Sequence, residues 1–217
     1  MTDDEYVLHM TMWAALKSPL IIGTDIRTLD APSFSIYTNP AILAISQDPA
    51  GSSAQRRWSL PASTDMYGQG EIQLWAGNLA QGDYVVILLN AGNSEMMMNA
   101  TLADIFIDNG GAKSTQAQSA WDMYDLWGNR MPNATADMIL STNSTVNVAN
   151  GTDYLYNATA MSYAEGIMAN HSMLMGSYTG QVAPMGTIQA MVPRHGVAAY
   201  RLRPRGSPIM KHKRDEL

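Results

Sequence analysis

The chain has 217 residues, of which 46% are hydrophobic and 15% charged, and its formal net charge is −6. This composition is that of a folded globular protein, and the negative charge argues against general nucleic-acid binding, which needs a basic face. No apolar run approaches the roughly 20 residues that span a bilayer, so we expect no membrane contact. Cysteine is absent, which excludes disulfides and thiolate metal sites. We expect neither a cofactor nor a metal ion.

The chain begins with a predicted helix. Thr2 and Glu5 have the spacing of a capping box, in which each residue satisfies a backbone N–H of the first turn. Apolar residues then recur at helical spacing, and the helix should end near Lys17 because Pro19 disfavours helical geometry at the residue before it.

A strand and a second helix are predicted next. The apolar run Pro19–Gly23 predicts a short strand that is buried on both faces. Asp30 is the expected N-cap of a helix over Ala31–Tyr37, and Ala41–Ile45 is predicted to be helical or extended. The order helix, buried strand, helix is typical of a parallel α/β architecture.

Beyond residue 50 the chain shows strand-length runs separated by turn residues, as in an antiparallel sandwich. The clearest predicted strands are Glu71–Trp75, Asp83–Leu89, Ala100–Ile107, Trp121–Trp127 and Val197–Leu202. Residues 141–190 are weakly patterned, and only Ser162–Met175 suggests a helix there.

Asn-x-Ser/Thr sequons are more frequent than chance predicts. The six sequon asparagines, taken from thirteen in the chain, are Asn99, Asn133, Asn143, Asn150, Asn157 and Asn170. They are N-glycosylation candidates, which favours passage through the secretory pathway; the alternative is that a chain rich in Ser, Thr and Asn forms sequons by composition. The final Arg-Asp-Glu-Leu is close to a retention signal, so we expect an extracellular protein or, if that signal is recognised, one in the endoplasmic reticulum lumen.

Several segments together indicate a family. Trp13–Arg27, with the sequence WAALKSPLIIGTDIR, resembles the end of the catalytic barrel in glycoside hydrolase family 27, the α-galactosidases and their relatives. Later parts of the same family are similar, in the same order, to Tyr37–Ile42, Ala44–Gly51, Gln73–Gly77, Tyr84–Asn90, Asp122–Gly128 and Pro193–Leu202.

The resemblance implies an α/β plus all-β fold: the final units of a (β/α)₈ barrel followed by an antiparallel β-sandwich. We expect the barrel end at residues 1–50, the sandwich at 51–205 and a charged tail at 206–217. Members of the family are retaining glycosidases, whose two carboxylates lie about 5–5.5 Å apart. Both aspartates belong to earlier barrel strands, and the Tyr-Asp-Asn context of the nucleophile does not occur here. We therefore expect no catalytic residue in this chain, further barrel units before it, and no activity of the chain alone.

The implied substrate is a terminal α-D-galactosyl group, bound through the missing barrel. An α-N-acetylgalactosaminidase or a stand-alone sandwich that binds carbohydrate or acts structurally remains as an alternative. Because the predicted strand Pro19–Gly23 has no neighbouring barrel strands in this chain, we expect residues 1–46 to pack poorly in isolation. The sequence does not indicate an oligomeric state.

Four charged residues are weighed as functional groups. Asp25 follows the predicted barrel strand on the face where barrel enzymes build their sites, so Asp25 and Arg27 are candidates to support the sugar pocket by hydrogen bonds. An ion pair between them, or a helix cap, is the favoured alternative. Asp122 and Asp125 are three residues apart on a predicted strand, so their side chains point to opposite faces and cannot act as an acid pair.

Aromatic and imidazole groups are weighed in the same way. His195 has no second ligand near it in the sequence, which favours a hydrogen-bonded sheet residue over a catalyst. Trp75, Trp121 and Trp127 could stack on sugar rings, but a sandwich of this size needs large aromatic residues in its core, and we favour that role.

Overall fold

The computed structural model describes residues 1–64, 66–68, 70–107, 114–145 and 147–205. Their helices are α1 (Asp3–Ala15), α2 (Ala31–Tyr37), α3 (Pro40–Ser46), α4 (Leu102–Ile105), α5 (Asn133–Thr142), α6 (Tyr163–Met168) and α7 (Ser172–Met175). Their strands are β1 (Gln55–Pro61), β2 (Glu71–Asn78), β3 (Tyr84–Asn90), β4 (Met96–Thr101), β5 (Trp121–Asp125), β6 (Ser177–Val182), β7 (Thr187–Val192) and β8 (Gly196–Pro204). Short 3₁₀ turns lie at Ile26–Thr28, Ala80–Gly82 and Gly151–Tyr154.

The first helices begin where their capping residues predict. The Glu5 N–H donates to Thr2 Oγ1 at 3.3 Å and the Thr2 N–H donates to Glu5 Oε2 at 2.7 Å, which confirms the capping box of α1. The predicted bounds of α2 are confirmed, and the Asp30 carboxylate accepts from the Ser33 N–H at 2.9 Å. The segment that follows is helical, as α3, and begins at Pro40.

The predicted strand at Pro19–Gly23 is wrong for this chain. The segment forms no strand, and Ile21 and Ile22 are 82% and 53% exposed. A strand of a parallel sheet is held by hydrogen bonds to neighbouring strands and is covered by helices on both faces. No described strand pairs with this segment, so it has no sheet hydrogen bonds, and most of its residues stay exposed to solvent.

The chain beyond residue 50 forms two antiparallel sheets, which confirms the predicted β-sandwich. The larger sheet has six strands in the order β1-β2-β3-β8-β5-β6, and the smaller sheet pairs β4 with β7. Side chains from both sheets share the main core, where Trp121 stacks on Phe106 with ring centroids 4.8 Å apart. Because β8 lies between β3 and β5, the larger sheet is complete only when residues 196–204 are in place.

Several element boundaries differ from the prediction. The predicted strand Ala100–Ile107 is wrong beyond Thr101, because Thr101 and Asp104 form a capping box that begins α4 at Leu102. The predicted helix over Ser162–Met175 is split into α6 and α7, and Asn170 between them adopts a left-handed φ of 56°. The sequence patterns do not predict β1, β6, β7 or α5.

The third strand is buried on both faces, as its continuous apolar sequence indicates. All seven residues of β3 are buried. Tyr84, Val86 and Leu88 belong to the main core, whereas Val85 and Ile87 belong to a second core on the opposite face of the larger sheet. That opposite face needs a covering layer, which the first helices supply.

Helices α1 and α3 pack on this opposite face. The second core joins their side chains to those of β3 and β8: Ala14, Ala15, Ala41, Ile42, Ile45, Val85, Ile87 and Ala199. The expectation that residues 1–46 pack poorly is therefore wrong for α1 and α3. It is correct for the loop after α1, where Ile21, Ile22 and Ile26 are 82%, 53% and 68% exposed.

In the described part of the chain no helix is both long enough and apolar enough to cross a membrane. The predicted charged tail at 206–217, with its Arg-Asp-Glu-Leu ending, lies outside the described residues. The domain limits at residues 50 and 205 stay predictions.

Candidate functional site

An open apolar cleft lies beside the exposed segment Pro19–Gly23. It has a volume of about 510 Å³ and is bounded by α1, residues 20–24, α2 and α3. Its lining is mainly apolar and aromatic: Met1, Tyr6, His9, Met10, Trp13, Leu20, Ile21, Ile22, Ile36, Tyr37 and Leu43, with Gly23, Thr24 and Ser33. We call this surface the open cleft.

The open cleft exposes side chains that globular proteins usually bury. Trp13 is 42% exposed, although it lies on a helix whose other face is part of the second core. The edge of its ring meets the His9 ring at a centroid distance of 5.4 Å. A contiguous exposed apolar surface of this kind is typical of a protein–protein interface or a ligand-binding groove.

Asp25 and Arg27 lie where the exposed segment ends, and they bind each other. Arg27 Nε and Nη2 donate to the two Asp25 oxygens at 2.9 and 2.7 Å, and the Arg27 N–H donates to Asp25 Oδ1 at 3.0 Å. These bonds hold the pKa of the Asp25 carboxyl below its usual value and raise the pKa of Arg27. The pair caps the 3₁₀ turn Ile26–Thr28 and is exposed to solvent. Their predicted role behind a sugar pocket stays a prediction.

Other candidate groups occupy structural positions. The Asp125 carboxylate accepts from the Trp127 N–H at 2.8 Å in the turn after β5; burial raises the pKa of this carboxyl, partly offset by that bond. Asp122 approaches Arg205 instead, at 3.9 Å, so the two aspartates have separate partners. Nowhere in the described ranges do three metal-ligating side chains come together.

The tryptophans have the core positions that we favoured. Trp121 is 2% exposed, and its Nε1 donates to the carbonyl of Gln116 at 2.9 Å. Trp75 and Trp127 are half-buried and pack against the second core.

Comparison with known proteins shows that the chain is similar to part of several α-galactosidases. The family described as the α-galactosidase C-terminal β-sandwich domain matches residues 69–152. The α-galactosidase of Saccharomyces paradoxus is 50% identical over 204 residues, which are 94% of this chain and 42% of that relative. α-Galactosidase 2 of Saccharomyces cerevisiae is 50% identical over 205 residues, with the same coverage of 94% and 42%.

Solved structures agree with the sequence matches. An α-galactosidase from Saccharomyces cerevisiae superposes with a TM-score of 0.87 at 48% identity, over 94% of this chain and 44% of that one. α-Galactosidase I from Mortierella vinacea has a TM-score of 0.61 at 28% identity, over 93% and 36% of the two chains. The chain belongs to glycoside hydrolase family 27. It corresponds to the carboxyl-terminal portion of the family's α-galactosidases and spans less than half the length of these relatives.

In this family-27 chain, polar contacts that the sequence did not predict join α1 and α2 to the sandwich. Arg130 donates to both oxygens of Asp3, at 2.6 and 2.8 Å, and also to Ser35 Oγ at 2.8 Å. His195 Nδ1 lies 3.0 Å from Glu5 Oε1, so the imidazole has a hydrogen-bond partner as favoured, but His195 lies in the turn before β8 and not in a strand. The capping Thr2 N–H, with His195, holds the pKa of the Glu5 carboxyl below its usual value.

A second set of contacts anchors the entry and exit of α3. Asn39 caps α3 through its side-chain oxygen and donates its amide to the Leu126 carbonyl at 3.2 Å. Asp48 Oδ1 accepts from the N–H of Ala50 at 3.0 Å and from the N–H of Ala80 at 2.8 Å. The signal for the first anchor was present in the sequence, because Asn followed by Pro is a helix start.

A buried charge cluster lies between the helices and the larger sheet. Asp83 and Arg201 are both fully buried, and Arg201 Nη1 donates to Asp83 Oδ2 at 2.8 Å. Arg203 adds two bonds to the same carboxylate, at 2.8 and 2.7 Å. Burial lowers the pKa of Arg201, and Asp83 partly offsets this effect. Arg201 and Arg203 are two apart on β8, so they share a face, but their partner lies 118 positions away from Arg201.

The six sequon asparagines are all exposed. Asn99 lies on β4 and Asn133 is the first residue of α5. The others lie at turns or element ends between α5 and α7: Asn143, Asn150, Asn157 and Asn170.

Proposed function

We propose that this chain is the carboxyl-terminal part of a retaining α-galactosidase, which hydrolyses terminal α-D-galactosyl residues of oligosaccharides and other galactosides. The observation that carries the proposal is 50% identity, over 94% of the chain, to proteins named as α-galactosidases. A Saccharomyces cerevisiae α-galactosidase solved with raffinose superposes with a TM-score of 0.86 at 48% identity, which supports galactosides as the substrate class.

The chain's own part in this function is structural. The segment Pro19–Gly23 is the strand that closes the barrel once the preceding strands are present, and α2 and α3 are the last helices of the barrel and lie outside that strand. The sandwich supports these elements through the second core and the buried charge cluster. The two carboxylates that retention requires belong to the missing strands, so the chain alone does not hydrolyse galactosides.

The open cleft supports the proposal that this chain has a structural role and that the catalytic residues lie in the preceding barrel strands. Ile21 and Ile22 are exposed beside an aromatic helix face that a stand-alone sugar-binding sandwich has no need to display. A putative α-N-acetylgalactosaminidase from Bacillus halodurans shares the fold at 18% identity, but this likeness extends to the fold alone. Galactose is therefore the favoured sugar.

A split-enzyme experiment tests the proposal. The chain is assayed alone and then after co-expression with the preceding barrel part of a Saccharomyces relative. Aryl α-galactoside, aryl α-N-acetylgalactosaminide and aryl β-galactoside are the substrates. We expect no turnover by the chain alone and turnover of the α-galactoside by the pair, with the product first released as the α-anomer.

Two results would contradict the proposal. Turnover by the chain alone at the rate of a full-length relative would sink the assignment of catalysis to the missing strands. Because the sugar-selecting groups lie in the part that the relative supplies, specificity is tested separately on the full gene product. Hydrolysis of only the N-acetylgalactosaminide by that protein would exclude α-galactosidase activity.

A further inference from the structure

The sequon asparagines fall into two groups according to what the backbone requires of them. Asn143, Asn150 and Asn170 have φ angles of 50°, 60° and 56°, in the left-handed region. Asparagine is several-fold enriched there among non-glycine residues, so the conformation alone explains these three residues. Asn143 in addition ends α5 as its C-cap.

Asn157 also has a conformational role. Its side-chain oxygen accepts from the N–H groups of Thr159 and Ala160, at 3.1 and 3.3 Å, and so forms the turn in which it lies. Four of the six sequons therefore contain an asparagine that the fold itself uses.

Asn99 and Asn133 have no such role. Asn99 lies in the middle of β4, and asparagine is depleted in strands. Asn133 follows Pro132 at the start of α5, whose N-terminus has no side-chain cap. Neither side-chain amide makes a hydrogen bond with another residue in the described parts of the chain, and both are exposed.

The surroundings of Asn99 supply a reason for a covering group. Met97 lies two residues before it on the same face of β4 and is 52% exposed. Met191, opposite Met97 on β7, is 53% exposed. In the described sheets β4 pairs only with β7, so no described strand covers its other edge. An unpaired edge beside apolar side chains invites strand pairing with another molecule.

We propose that Asn99 and Asn133 carry N-linked oligosaccharides, and that the sugar on Asn99 shields the Met97–Met191 pair and the edge of β4. In the modification, the asparagine Nδ2 attacks the anomeric carbon of an oligosaccharide carried on a lipid diphosphate. The new C–N bond forms as the C–O bond to the diphosphate breaks, one amide proton is lost, and the lipid diphosphate leaves with the bonding electrons. The protein must therefore enter the secretory pathway, either to leave the cell or to remain in the endoplasmic reticulum lumen.

Site occupancy is measured on the full gene product isolated from the cells that make it. Peptide N-glycosidase treatment in heavy-oxygen water converts each glycosylated asparagine to labelled aspartate, which peptide mass spectrometry locates. We expect label at Asn99 and Asn133. Asn78 is the matched control, because it is an exposed strand asparagine without Ser or Thr two residues later, and it should stay unlabelled. Unlabelled peptides at both Asn99 and Asn133 overturn the proposal, whatever the activity of the enzyme.

The shielding role is tested with Asn99→Gln. This change is preferred to Thr101→Ala, because Thr101 Oγ1 accepts from the Asp104 N–H at 3.1 Å and caps α4. Peroxide should oxidise Met97 and Met191 several-fold faster in Asn99→Gln than in the glycosylated parent. Met168, 46% exposed on α6, should react equally in both proteins. Equal oxidation of Met97 and Met191 in the two proteins would refute the shielding role.

Discussion

Replacing both Ile21 and Ile22 by serine is expected to leave the folded chain intact and to weaken its assembly with the preceding barrel part. The two side chains are 82% and 53% exposed, so the isolated chain gains little from packing them. Surface substitutions of this kind usually change the free energy of unfolding by less than about 0.5 kcal/mol. A loss of function would therefore arise from assembly and not from unfolding.

The expected size of the assembly defect follows from the exposed area. Complete burial of an isoleucine side chain contributes about 1.5–3 kcal/mol. Ile21 and Ile22 together expose rather more than one whole isoleucine side chain. Their burial in a closed barrel then contributes about 2–4 kcal/mol, which corresponds to an increase of about 30- to 700-fold in the dissociation constant of the split enzyme.

The assay titrates the chain against the separately expressed barrel part and follows hydrolysis of an aryl α-galactoside. Urea unfolding of each variant, monitored by tryptophan fluorescence, checks the fold independently. Leu60→Ser is the matched control, because Leu60 is 51% exposed but lies on β1, outside the open cleft. Unchanged assembly of the double variant, or an equal defect in Leu60→Ser, would refute the assignment of the open cleft as the docking face.

Three further predictions concern stability and are measured as free energies of unfolding in urea. Asp83→Asn should cost about 3–5 kcal/mol, because it leaves a fully buried arginine without its counter-ion; a loss below about 1 kcal/mol would contradict this account. Gly77→Ala should cost about 1–3 kcal/mol, because the added Cβ would lie 2.8 Å from the backbone just before β1. Gly23→Ala is the control and should change the free energy of unfolding little, because its added Cβ would have no atom within 4 Å. Equal effects of the two substitutions would show that the close approach at Gly77 is unimportant. The hydrogen bond from Arg130 lowers the folded-state pKa of Asp3 below its usual value. The stability that this bond adds is therefore present above about pH 4, the usual pKa of an aspartate, and is lost as the pH falls through the folded-state pKa. Asp3→Asn should therefore be less stable by at most about 1 kcal/mol at neutral pH and should match the parent in strong acid, and a constant difference at all pH values would exclude this linkage.

Local signals were sufficient wherever a residue's partners lie close in the chain. The capping box at Thr2 and Glu5 places the start of α1, and Asp30 with the following proline places α2, because a helix N-terminus is satisfied within four residues. The continuous apolar sequence of β3 likewise indicates burial on both faces. The type and order of several motifs were enough to identify the family. The sequence also showed that the Tyr-Asp-Asn motif of the family's nucleophile does not occur in this chain.

Long-range partners decided what local patterns could not. The carboxylate that neutralises Arg201 lies 118 positions away, and only the pairing of β3 with β8 brings the two together. The strands β1 and β7 have mixed polar sequences, and their hydrogen bonds to β2 and β4 place them in sheets.

The segment Pro19–Gly23 shows most clearly which features the local sequence determines and which depend on the tertiary structure. Its sequence alone determined that it is apolar enough for a buried strand, and in which family such a strand occurs. Whether it becomes a strand depends on backbone partners, because a strand, unlike a helix, has its hydrogen bonds on other segments. In this chain the described residues contain no strand that pairs with this segment, and the tertiary structure leaves the segment exposed beside the open cleft.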